Sequence, residues 1–140
     1  MKLKRSKFNE YNGVSIVMLE NHGKTYTGEA VLHPDDWEHM SKFAGCRLAE
    51  KRARIKYLKE KKNEARIKRD ALISFYKDLN NVAGDAMIAN LVVKRICVHI
   101  KYWNEEYKKY KNAIDYLNKA IASEIRLRDK IVSNRAKENN

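Results

Sequence analysis

Proline occurs once and glycine five times in 140 residues. So few breakers exclude a loop-rich, many-stranded domain and favour long helices. Cysteine occurs only twice, which excludes a disulfide framework of the secreted kind. Cys46 and Cys97 each sit in a helical pattern, where a thiol behaves as a small buried apolar group. The apolar run "VSIVML" is too short for a signal h-region or a membrane span. Glycine-rich phosphate loops, CxxC pairs, HExxH and nucleophile elbows are also missing. The histidines His22, His33, His39 and His99 are scattered, His99 on an apolar stripe. Together these absences argue for a soluble, cytoplasmic protein that is not an enzyme, with no catalytic residue, no cofactor, no bound metal and no membrane partner.

Basic charge is abundant. Thirty Lys and Arg stand against 18 Asp and Glu, a formal net charge of +12. The isoelectric point is about 9.7 and the mean hydropathy is −0.72. Such a surface attracts polyanions: DNA, RNA or an acidic protein face. Between positions 47 and 69 the cations are Arg47, Lys51, Arg52, Arg54, Lys56, Lys59, Lys61, Lys62, Arg66, Lys68 and Arg69. Only Glu50, Glu60 and Glu64 oppose them there. Pairs such as Glu60 with Lys56 and Glu64 with Lys68 would leave most of this charge uncompensated. A helix so charged can track phosphates, releasing counterions and giving a steep salt dependence. Alternatively it is a solvated coiled-coil face, or its arginines pair with acids on a protein target.

Hydrophobic periodicity predicts a mostly α protein with a small β part. Residues 1–12 read as a basic tail. Residues 13–33 read as a β-hairpin, with Val14, Ile16 and Met18 alternating with Ser15, Val17 and Leu19. Gly23 supplies the turn. The return strand sets Tyr26, Gly28, Ala30 and Leu32 against Thr25, Thr27, Glu29 and Val31. Residues 34–80 then form one long basic helix. Its seam has two rows: Leu48, Ile55, Lys62, Arg69, Tyr76, and Ala44, Lys51, Leu58, Ala65, Leu72, Leu79. "NNVAGDA" breaks the helix, with Asp85 as a candidate N-cap. Residues 85–137 form a second helical stretch, either one helix or two with a bend near 104–106. Met87, Ile88, Leu91, Val92 and Ile96 give it a wide apolar stripe. Trp103, Tyr107, Tyr110, Ile114, Leu117 and Ile121 continue as a narrower seam. Tyr102 and Tyr116 fall off that seam, and interleaved lysines give the segment the look of a single-strand-binding platform. Two such helices should fold back as an antiparallel, coiled-coil-like helical hairpin within a single domain. The pair is thin, so a homodimer that buries the remaining aromatics is an open option.

The segment "HPDDWEH" gathers His33, Asp35, Asp36 and His39, which could converge on a divalent metal. The string resembles the zinc motif of the LmbE-type de-N-acetylases, but Trp37 stands where that motif continues with Glu. No βαβ pattern accompanies it. The favoured alternative is a helix start: Pro34 at the first turn, Asp35 as cap, Glu38 closing a capping box. A metal-dependent hydrolase is the minority reading.

A wider segment, Gly28, Ala30, His33, Pro34, Asp36, then Gly45, Leu48, Ala49, Arg52 and Ala53, resembles one that recurs in small proteins of tailed phages of Gram-positive bacteria. The resemblance covers about a quarter of the chain. It implies a phage origin and, by analogy with that class, a protein that modulates host or defence machinery, including the anti-CRISPR kind. The resulting expectation is a binding protein of an infected or lysogenic bacterial cell. Its partner is nucleic acid or an acidic face of a nucleic-acid-handling enzyme, for example a CRISPR nuclease that it inhibits. The competing expectation is a structural or assembly coiled coil.

Overall fold

The computed structural model describes residues 1–9, 12–31, 42–82 and 86–139. The chain is mostly helical with a small antiparallel sheet: β1 (Lys2–Asn9), β2 (Val14–Asn21), β3 (Lys24–Val31), α1 (Lys42–Val82) and α2 (Ala86–Glu138). The second helical stretch is therefore one uninterrupted helix of 53 residues. Two compact units divide the chain. The sheet unit holds Met1–Tyr57 and Ile114–Asn140, and the hairpin unit holds Leu58–Ala113.

In the sheet unit, the strands lie in the order β1-β2-β3. The residues read as a basic tail are a third strand, which corrects that expectation. Asn21 pairs with Lys24 across a two-residue turn. Both turn residues take left-handed backbone, His22 at φ 48° and Gly23 at φ 78°, the combination a tight right-twisted hairpin needs. Ser15, Val17 and Leu19 of β2 face inward with Tyr26, Gly28 and Ala30 of β3. Val14, Ile16 and Met18 take the half-buried outer face.

Helix α1 lies directly on the inner face. Val17, Leu19, Ala30, Ala49 and Ala53 form the buried core, with Cys46 and Leu48 packed against it. The approach depends on having no side chain at position 28. A Cβ on Gly28 would overlap the Ala49 carbonyl oxygen and stand 2.5 Å from the Ala53 amide nitrogen. Small residues on both sides thus let backbone meet backbone. Ser6 donates a hydrogen bond to the Cys46 sulfur at 3.2 Å, joining β1 to the same contact. Tyr26 meets Tyr57 edge-on at 5.3 Å.

In the hairpin unit, α1 and α2 run antiparallel. Arg69 of α1 reaches Asn104 of α2, and Lys62, earlier on α1, lies over Tyr107, later on α2. The seam rows expected on α1 are buried or half-buried throughout the described chain. Ala65 and Ile96 are the most enclosed seam residues of this unit, 1% and 6% exposed. Leu91 and Val92 do not join the core as expected: they are 61% and 36% exposed. Cys97 and His99 are exposed as well, against the expectation of burial. The reason is the narrowness of a two-helix seam, which covers one stripe of α2 and leaves the rest in water.

Candidate polyanion interface

The eleven cations between Arg47 and Arg69 all stand on α1, but the fold already engages several of them. In the sheet unit, Arg52 and Lys56 tie α1 to β3. The Arg52 guanidinium donates to the Glu29 carbonyl at 2.8 Å, and the Lys56 ammonium donates to the Thr27 carbonyl at 2.6 Å. Lys24 opposite Asn21 closes the hairpin, so alternate residues such as Thr27 and Glu29 aim their backbone groups away from β2. The two cations therefore cap the open edge of β3, a place where unpaired acceptors would invite another strand. Lys51, a charge in the helix seam, pairs with Glu124 of α2. Arg54 pairs with Glu50 at 2.6 Å. Arg47 lies over the Phe43 ring at 5.1 Å and is exposed.

In the hairpin unit, aromatic rings of α2 accommodate the charges that invade the seam. Arg69 lies 4.9 Å from the centre of Tyr107, with Lys62 at 6.0 Å from the same ring. Arg69 also donates to Asn104 at 3.2 Å and pairs with Asp70 at 3.1 Å. Lys68 lies 4.3 Å over Trp103. A cation over an aromatic face keeps its charge while its methylene stem covers apolar surface. Trp103, Tyr107 and Tyr110 are half-buried seam residues, while Tyr102 and Tyr116 are 52% and 72% exposed, as their positions off the seam predict. Lys61 pairs with Glu64 at 2.8 Å, and Arg66 donates to Asn63 at 2.8 Å. Glu64, expected to pair with Lys68, pairs with Lys61, and Lys56, expected opposite Glu60, donates to the Thr27 carbonyl. Lys59 and Arg66, seven residues apart on one face of α1, are exposed.

Carboxylates therefore compensate Lys51, Arg54, Lys61 and Arg69. Among the described residues, no ion pair reaches Arg47, Arg52 or Lys56 in the sheet unit, nor Lys59, Lys62, Arg66 or Lys68 in the hairpin unit. Basic charge is not confined to this run. The sheet unit carries 17 Lys and Arg against 11 Asp and Glu, and the hairpin unit 13 against 7, so each has a net charge of +6. Part of that charge is on β1, where Lys2, Lys4, Arg5 and Lys7 are all exposed. Those four residues were missed as site candidates because they read as a tail; as a strand they are held in place.

His33, Pro34, Asp35, Asp36, Glu38 and His39 lie outside the described residues, as does the Asp85 cap. Among the described residues no group of three or more His, Cys, Asp and Glu is placed to hold a metal. Among them too, no helix is long and apolar enough to cross a membrane. The described part of the segment from Gly28 to Ala53 that carried the resemblance is mostly packing. Gly28, Ala30, Gly45, Ala49 and Ala53 are buried, Leu48 packs on the core, and Arg52 holds the β3 edge. No family model, no curated protein and no solved structure matches the chain significantly.

Proposed function

We propose that this is a non-enzymatic binding protein of phage type that engages a polyanion through the exposed cations of α1. The partner is nucleic acid or the acidic face of a nucleic-acid-handling enzyme, and binding inhibits that enzyme inside an infected or lysogenic bacterial cell. Inhibition of a CRISPR nuclease is the concrete form suggested by the phage-like segment. The observation that carries the reading is the exposed charge of α1 that no ion pair among the described residues compensates: Arg47 and Lys56 in one unit, and Lys59, Arg66 and Lys68 in the other. A carbonyl or a ring leaves such a charge un-neutralised, and a phosphate or carboxylate brought against it would form a charge-assisted hydrogen bond.

A structural or assembly coiled coil is the competing reading. It is favoured by the number of α1 cations already engaged within the fold, among them Arg52, Lys56 and Lys68. A metal-dependent hydrolase at His33, Asp35 and Asp36 is a minority reading, tested by metal analysis and by thermal shift on adding zinc.

Fluorescence anisotropy with unspecific DNA and RNA of equal length separates the first two. Direct contact predicts binding at low salt for at least one of them. Absence of binding to both at low salt removes nucleic acid and directs the search to a protein, by affinity capture from an infected host.

A further inference from the structure

In the hairpin unit, α2 has two faces. Ile96, Ile100, Trp103 and Tyr107 turn toward α1. A second row, Leu91, Arg95, Val98, Tyr102, Glu105 and Lys109, has the same alternating four- and three-residue spacing and lies on the helix's outer side. All six are exposed, Leu91 by 61%, Val98 by 68% and Tyr102 by 52%. Coiled-coil spacing with apolar residues left in water is what a helix shows when its partner helix is missing.

The charges in this row identify the partner. Arg95 precedes Val98 and Glu105 follows Tyr102. Neither takes part in a hydrogen bond or ion pair with a described residue. On a straight helix the two stand about 15 Å apart, one at each end of the apolar centre. The apolar centre, Val98 and Tyr102, thus has a base on one side and an acid on the other and complements itself when turned end for end, while Lys109, further along, pairs with Glu106 of its own helix. We infer that this face binds a second copy of the same chain, with the two α2 helices antiparallel across a two-fold axis at residue 100. Val98 of each copy then meets Tyr102 of the other, Arg95 meets Glu105, and the stem of Lys109 covers Leu91. Each contact occurs twice, as a two-fold interface requires. A register that sets Leu91 on Tyr102 puts Arg95 against Val98 with no anion, so charge selects the first arrangement. This inference uses no residue of the basic run and stands whether or not that run binds a polyanion.

Sedimentation equilibrium on the full chain tests it. The parent protein should self-associate to a dimer. Arg95→Glu sets two acids against each other at both ends and should weaken the dimer at least about tenfold, as should Glu105→Arg. The double variant Arg95→Glu/Glu105→Arg restores both pairs and should return to within about threefold of the parent. Val98→Asp should leave a monomer. Both charged residues are exposed, so the helical circular dichroism of their variants should match the parent's. A parent that stays monomeric at every concentration overturns the inference. So does a dimer unmoved by the single charge reversals or by Val98→Asp, or a double variant no tighter than the singles.

Discussion

The two units achieve helix packing by opposite means. In the sheet unit, Gly28, Ala49 and Ala53 remove side chains until α1 lies on the strand backbone. In the hairpin unit, α1 keeps long cations in its seam and α2 answers with rings: Tyr107 under Arg69 and Lys62, Trp103 under Lys68. The first contact is close and apolar, and it tolerates no added atom. The second is loose and charged, and flexible side chains can move to absorb change. The sheet unit thus packs by removing side chains, and the hairpin unit packs while retaining charge in its seam.

Substitutions can break that contrast. Gly28→Val should have the largest effect. Its side chain must displace the backbone of Ala49 and Ala53, a cost of about 3 kcal/mol or more. Hydrogen exchange should show the amides of Val17 and Leu19 losing protection, and unchanged protection would refute the close packing. Lys62→Leu should act in the opposite direction. It replaces a charge in the seam with an apolar residue and should raise stability by about 1 kcal/mol, read from chemical denaturation. A loss there would mean that the contact with Tyr107 outweighs burial. Ser15→Ala should have the smallest effect. The Ser15 hydroxyl is fully buried and, among the described residues, has no hydrogen-bond partner. Removing it should be neutral or raise the melting free energy by less than about 1 kcal/mol. A clear destabilisation would reveal a partner for that hydroxyl.

Particular residues explain what was legible in the sequence. The change from period two to the coiled-coil period marked the passage from β3 to α1, and Gly23 marked the turn. The alternation of Lys62 and Arg69 with apolar residues still traced the seam, because a stem and a charge can share one position. Strand β1 was hidden for a physical reason. Its pairing with β2 shifts between Leu3 and Arg5, so Lys4 is an extra residue in the ladder. The inward residues Leu3, Ser6 and Phe8 therefore do not alternate regularly, and four cations fill the gaps. Those cations serve the fold at an open edge, where lysine discourages further strand pairing. Leu91 was misassigned because hydrophobicity along α2 does not say which of two apolar stripes faces α1. The site was legible as charge but not as contacts. Helical spacing could not show that Arg52 and Lys56 reach the backbone of β3, since that contact depends on how α1 crosses the sheet.

The central claim is that the exposed cations of α1 meet an anionic partner. The most direct test is the salt dependence of nucleic-acid binding by the parent and by Lys59→Glu/Arg66→Glu. These two residues are exposed and, among the described residues, are not engaged by another element. If both contact phosphates, the double variant should bind more weakly to every sequence. The slope of log affinity against log salt should fall by about two. A variant with the parent's affinity and slope would contradict the claim for this face of the helix.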